Sequence, residues 1–458
     1  MQEPDPSKSN GAPVPLGYET PDPERPASSA PAFLDSHAPG TGGRGHDPYA
    51  ALRYPDFLLY LAGWVLSVIG QQIQDVAVGW DIFIRTRAEA NINPLLALGL
   101  VGAVLAIPII VLAIPAGALA DRFDRRKIIM ISVTGAAACS LGLAWLSHVH
   151  GSLTLMYVSL FAGSTFSAMG WPARSALLPQ TVPTEIFSNA VTWNSSAFQI
   201  ASMVGPALGG LILYWSIPLA YVMDAAFLLA FAVFLMFLRV NSPPRKREPV
   251  TFENVIAGVR FVIRNKIILA TITLDLFAVL LGGATALLPA FAKDILHVSS
   301  GGFGVLRAAP AIGALAMGLI IAHLPPMKRA GRNLLIAVAG FGVATIVFGL
   351  SKNFTLSFIM LLLTGVFDNV SVVVRHTLVQ VLTPDAMRGR VSAVNNIFVG
   401  ASNELGGFES GLTGAWLGAV RSVVLGGIGT LGVVVAVAIA WPQVMRFGSL
   451  QDAKAIEE

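Results

Sequence analysis

The chain has 458 residues, of which 54% are hydrophobic and only 12% charged, against about 25% charged in a typical soluble domain. Those proportions argue against an ordinary cytoplasmic enzyme and leave room for on the order of a dozen membrane crossings of about 20 apolar residues each. The single cysteine, Cys139, excludes a disulfide framework within the chain, no Cys/His grouping has metal-site spacing, and the net charge of +4 lies in basic clusters between apolar runs, a topological pattern rather than a nucleic-acid footprint.

Residues 1–52 read as a disordered cytoplasmic tail: ten of the 28 prolines fall in the first 50 residues, with no apolar run and no basic start of the kind a signal peptide has. From Phe57 onward, apolar runs follow at about 57–80, 95–119, 128–147, 154–175, 188–213 and 218–239. A hydrophilic linker, 240–266, precedes a second set at about 267–290, 303–324, 333–350, 354–376, 393–416 and 421–441, and a short tail, 444–458, closes the chain. The predicted class is an all-α integral membrane protein with 12 transmembrane helices, six in an N-terminal half (53–239) and six in a C-terminal half (267–443). The 393–416 segment is the most polar of the twelve.

Lysine and arginine are retained on the cytoplasmic side of membrane spans. With both termini and the linker in the cytoplasm, the inner loops and helix ends hold 18 basic residues and the outer segments six: Arg85, Arg87, Lys293, Arg307, Lys352 and Arg421. An internal repeat supports the six-plus-six division independently. A shift of 201 residues places Arg174 on Arg375, Pro183 on Pro384, Asn194 on Asn395, Gly205 on Gly406 and Gly117 on Gly318. Parallel halves of this kind place a substrate site between them, near the bilayer midplane.

The loop after the second span reads GALADRFDRRK, from Gly117 to Lys127. It resembles the loop signature of the major facilitator superfamily, Gly-x-Leu-Ala-Asp-basic-x-Gly-basic-basic, with Asp124 in place of the second glycine. The resemblance implies a latch that helps hold the halves together on the cytoplasmic side, with Gly117, Asp121, Arg122, Arg125 and Arg126 as gate residues and Arg174 and Arg375 joining them. The corresponding second-half stretch AHLPPMKRAGR has Ala322 where the acid belongs, so only the first copy is expected to latch. The fifth span contains ASMVGPALGG, in which Gly205, Pro206, Gly209 and Gly210 predict a bend and close helix packing. It resembles the fifth-helix motif of superfamily antiporters, with Ala201 for the first glycine, which implies export rather than uptake.

Ionisable residues inside spans are costly and are functional candidates by default. Asp275 lies near the middle of span seven, Glu404 near the middle of span eleven, and Asp368 in the inner half of span ten. The superfamily fold would put all three on cavity-side helices, as candidates for proton coupling, since burial favours the protonated form of a carboxyl group in general. Asp368 and Arg375, two turns apart on one helical face, are expected to pair directly or through water. The competing reading is that basic neighbours neutralise these acids and the pairs merely hold helices together. Asp224, in the peripheral sixth span, reads as packing, and Asp75 as either an outer gate or a coupling residue. Asn194, Gln199, Asn395, Asn396 and Asn403 are substrate-cavity candidates, with interhelical hydrogen bonding as the alternative.

No Gly-Lys dipeptide occurs, so the common nucleotide-binding loop is absent. No cofactor is expected, and the energy source is a gradient. Span four lacks the arginine that many superfamily antiporters carry in its outer half. The order DRFDRRK, PARSALLPQTVP, NAVTWNSSAFQIASMVGPALGG looks like the branch of the bacterial enterobactin exporter and its relatives. The resemblance implies a monomeric transporter, not an enzyme, in the bacterial inner membrane, exporting a small, partly apolar siderophore or drug-like compound against proton entry. An uptake permease of the same fold, a lipid flippase and a non-transporting membrane sensor are the alternatives.

Overall fold

The computed structural model describes residues 47–89, 91–239, 252–325, 327–445 and 447–448. Most of the tail predicted at 1–52, the first part of the 240–266 linker and nearly all of the 444–458 tail lie outside them. Twelve long helices follow one another, with no strand among the described residues: α1 Pro55–Ala88, α2 Pro94–Arg122, α3 Arg125–His148, α4 Leu153–Leu177, α5 Phe187–Trp215, α6 Ile217–Phe237, α7 Lys266–Leu281, α8 Ser300–His323, α9 Ala330–Leu350, α10 Phe354–Leu382, α11 Asp385–Leu417 and α12 Ala419–Ala440. All but α11 are long and apolar enough to cross a membrane by length and composition, α7 together with the turns that follow it to Ile295. α11 packs against α2, α7 and α12 and against a further helix in the linker, Phe252–Arg264, so its buried Asn395, Ser402 and Ser410 meet protein rather than lipid.

Several boundaries depart from the apolar runs for identifiable reasons. α1 continues two turns past Trp80 because Asp81 and Arg85 pair along the helix, Nε to Oδ1 at 2.7 Å. The same guanidinium donates to the carbonyls of Leu146, Ser147 and Gly151 at the end of α3, satisfying groups that a helix C-terminus leaves open. Span seven is shorter than expected: α7 stops at Gly282–Gly283, and the chain continues through short helical turns over Ala284–Ile295. The linker, expected to be merely hydrophilic, contains the helix Phe252–Arg264. Sharp starts come from caps: the Asn93 side chain accepts from the amides of Leu95 and Leu96 ahead of Pro94, and the Asn265 side chain from those of Ile267 and Ile268.

Call the end of the bundle that carries the α1–α2, α3–α4 and α5–α6 loops the odd-loop end, and the opposite end the even-loop end. Within the first six helices α1 packs on α5 and α6, α3 on α4 and α6, and α2 on α4; within the last six α8 packs on α10, and α9 on α10 and α12. Two seams, α2 on α11 and α5 on α8, join the two sets. The apolar core is divided unequally along the bundle. At the odd-loop end one cluster draws on both sets, joining Ile73, Val76 and Trp80 to Leu287, Phe291, Phe303 and Phe348. Towards the even-loop end the core splits into one cluster built only from the first set, around Phe57, Trp64, Ile129 and Phe231, and another built only from the last set with its linker helix, around Ile268, Leu334, Leu378 and Val394.

Candidate functional site

Closure at the odd-loop end is made by backbone approach that only glycine allows. A Cβ on Gly210 of α5 would sit 2.6 Å from Gly304 Cα and 2.7 Å from the Ser300 carbonyl of α8. Gly99 of α2 and Gly411 of α11 meet in the same way across the other seam. Around these contacts Trp80 stacks on Phe303 with ring centroids 5.4 Å apart, Arg87 pairs with Asp294 at 2.7 Å, and the Asn93 amide donates to the Ala415 carbonyl at 3.3 Å. Gly205 and Gly209 face α1, against Gln72, Ile73 and Val76. The tight packing expected of Gly205, Pro206, Gly209 and Gly210 is therefore present, and α5 runs as one helix through Pro206.

Charged groups are also buried within each half. Arg375 of α10 pairs with Asp275 of α7, both side chains under a tenth exposed. The partner is thus not Asp368, to which helical spacing pointed. Asp368 is half-buried on the wall of a narrow cavity of about 10 Å³ that Asp275 also lines, with Phe341, Phe367 and Ser371; that space holds one water at most. The repeat mate of Arg375 is arranged differently. Arg174 of α4 is buried with its guanidinium 5.4 Å from the Trp64 ring centroid, and its carbonyl accepts from the Tyr60 hydroxyl at 3.3 Å. Arg174 has no carboxylate partner among the described residues, so a cation–π contact takes the place of an ion pair.

A second charged group straddles the seams just beneath the closed end. Arg307, one turn along α8 from Phe303, is within electrostatic reach of Asp75 on α1 and Glu404 on α11, with no direct ion pair among the three. Glu404 lies on the turn of α11 whose backbone abuts Gly102 of α2. Sequence reading took Arg307 as an outer-loop charge. The signal that would have placed it was its standing as the only lysine or arginine of its apolar run, 303–324.

The loop residues divide by role. Asp124 is the N-cap of α3, its side chain accepting from the Arg126 amide at 2.9 Å, and its φ of −60° needs no glycine. The substitution in the loop signature therefore exchanges a flexible turn for a cap. Arg126 reaches the carbonyls at the end of α6, 2.5 Å to Met236 and 2.9 Å to Leu238, while Arg125 is buried. Gly117 and Asp121 are half-buried and Arg122 exposed at the end of α2. Asp121 has no hydrogen-bond or ion-pair partner among the described residues.

Of the amide candidates, Asn194 and Asn395, related by the repeat, both carry a buried carbonyl oxygen with no hydrogen-bond partner. Gln199 is half-buried, and Asn403 is exposed and donates to the Val399 carbonyl of its own helix at 3.0 Å. The Asn396 side chain lies outside the described set. Asp224 is a packing residue, taking a 2.5 Å hydrogen bond from Ser140 and abutting Gly70 of α1. The buried Asp81, which sequence reading missed, accepts from Arg85, from Ser147 at 2.8 Å and from Tyr221 at 3.3 Å.

The profile of the Major Facilitator Superfamily matches residues 57–407. Enterobactin exporter EntS of Citrobacter koseri is 26% identical over 403 residues, covering 86% of this chain and 94% of that protein, and EntS of an Escherichia coli strain gives the same identity and coverage. Among solved structures, an inward-facing, occupied bacterial homolog of the human lysosomal transporter Spinster aligns with a TM-score of 0.68 at 16% identity, over 90% of this chain and all of that one. A D-xylose–proton symporter aligns with a TM-score of 0.68 at 15% identity, over 88% of this chain and all of that one. The chain belongs to the Major Facilitator Superfamily and is a multi-pass membrane transporter of that fold.

Proposed function

We propose that the chain exports a small amphipathic compound, siderophore or drug-like, in exchange for protons, acting as a monomer in the bacterial inner membrane with both termini in the cytoplasm. The odd-loop end then faces outward. The observation that carries this reading is the unequal division of the apolar core: joined across both sets of helices at the odd-loop end and separate at the even-loop end. In that arrangement compound enters from the cytoplasm, and the six-helix halves, 53–239 and 267–443, rock about the midplane to release it outside. Asp121, unpartnered while the even-loop end is parted, engages the second half when that end closes.

Asp275, Asp368 and Glu404 are the proton-coupling residues of this proposal. Arg375, held by Asp275 and one cavity wall from Asp368, is placed to exchange partners as the halves move, so that the carboxylate it leaves takes up a proton. The unsatisfied carbonyl oxygens of Asn194 and Asn395 are placed to accept hydrogen bonds from substrate or water. Export follows the printed function of the relatives and the α5 motif. The test is proton movement in inverted vesicles challenged with siderophores, dyes and drugs, using wild type and Asp275→Asn, Asp368→Asn and Glu404→Gln. Compound-dependent proton release that a carboxamide substitution abolishes supports the reading; compound flux with no proton movement contradicts the coupling, and no flux in folded protein contradicts the transport assignment.

A further inference from the structure

The helix Phe252–Arg264 ends one residue before α7 begins at Lys266, so it lies at the level where a membrane-spanning helix leaves the bilayer. Its two faces differ. Gly258 and Val262 are buried and Phe261 half-buried, packed towards the second six helices; a Cβ on Gly258 would lie 2.8 Å from the Arg390 carbonyl and 3.0 Å from Val394 of α11. Ile256, Arg260, Ile263 and Arg264 stand at positions i, i+4, i+7 and i+8, a single stripe on the opposite side, and all four are exposed. Two isoleucines at 41% and 60% exposure, interleaved with arginines, are a poor face for water. They suit the boundary between acyl chains and headgroups, where apolar side chains sink and arginine stems reach up to phosphate.

Charge identifies the occupant. From Arg239 to Lys266 the chain carries seven basic residues against two acidic ones, Glu248 and Glu253. Arg260, Arg264 and the exposed Lys266 form no ion pair among the described residues. We propose that this stripe is a binding site for anionic phospholipid headgroups, with Arg260, Arg264 and Lys266 contacting phosphate and Ile256 and Ile263 seated among the upper acyl carbons. Through Gly258 the bound lipid holds the even-loop end of α11 at the membrane surface.

The full-length protein in nanodiscs of phosphatidylcholine with phosphatidylglycerol tests the site, by counting lipid of each class retained through partial delipidation, in native mass spectra. Wild type retains phosphatidylglycerol preferentially, and the preference falls as salt rises. Arg260→Gln with Arg264→Gln lowers that retention by roughly twenty-five-fold at low salt, on the order of fivefold per arginine, whereas Arg260→Lys with Arg264→Lys keeps most of it. Both variants must remain monodisperse with the wild-type unfolding midpoint. A control, Lys328→Gln with Arg329→Gln and Arg332→Gln, removes one more charge from the loop before α9 and the first turn of that helix, and leaves the preference intact. Equal retention by wild type and the Arg260/Arg264 glutamine variant overturns the proposal, and so does an equal loss in the control.

Discussion

Arg375 and its two neighbouring carboxylates give opposite expectations for two chemically identical substitutions. The ion pair with Asp275 leaves 3% of the Arg375 side chain and 7% of the Asp275 side chain exposed. Breaking a buried pair by removing one member costs about 3–5 kcal/mol, because the remaining charge is stranded. Asp275→Asn keeps one acceptor oxygen, so the lower end applies: about 3 kcal/mol, or roughly a hundredfold in the folded-to-unfolded ratio. Asp368 is half-buried and makes no hydrogen bond among the described residues, so Asp368→Asn breaks no direct contact and costs about 1 kcal/mol or less. Replacing both members of the pair, Asp275→Leu with Arg375→Met, restores most of the loss, since well-packed apolar residues substitute for a buried pair with little penalty. The assay is denaturant unfolding in mixed micelles followed by tryptophan fluorescence. A larger loss in Asp368→Asn than in Asp275→Asn would refute the assignment and return Arg375 to the partner that spacing alone suggests.

Three further expectations rest on separate contacts. Gly210→Leu drives a side chain into the backbone of Gly304 and Ser300, so the protein folds with its odd-loop end parted. A cysteine at the fully buried Val76, in a Cys139→Ser background, then reacts with an impermeant maleimide added from that side, and does not when Gly210 is present. Arg85→Met strands Asp81, whose side chain is 3% exposed, and uncaps the end of α3, for a loss of about 3–5 kcal/mol in denaturant unfolding; Arg85→Lys recovers little, since one ammonium cannot reproduce the planar fork that spans the carboxylate and three carbonyls. Asp124→Ala costs about 1 kcal/mol and Asp124→Gly, which restores the family signature, only a few tenths, by the same unfolding measurement.

The repeat and the loop signature were legible because they rest on residue identity at fixed spacing. What spacing could not supply was the partner. Asp368 and Arg375 share a helical face, yet the carboxylate that reaches the guanidinium comes from α7, 100 residues away. Arg174 and Arg375 align in the repeat but meet an aromatic ring in one half and an acid in the other, a difference made by the neighbouring helices. Hydropathy undervalued α11 because its polar side chains are covered by protein on several sides. It ended α1 early because an Asp–Arg pair reads as a boundary until the second helix that uses it is known. In the loop signature, Asp124 stands where glycine is expected; the backbone there has negative φ, and the carboxylate serves as a cap.

The claim that the two halves exchange closure between ends is tested most directly by two distances measured on the same protein. Spin labels at Glu89 and Lys293 report the odd-loop end, and labels at Phe123 and Arg329 the even-loop end; all four positions are exposed. On addition of an exported compound, or on a change of pH, the account predicts that the odd-loop distance lengthens as the even-loop distance shortens, in the same fraction of molecules. A change at one end with none at the other, or both ends fixed while compound is transported, would contradict it.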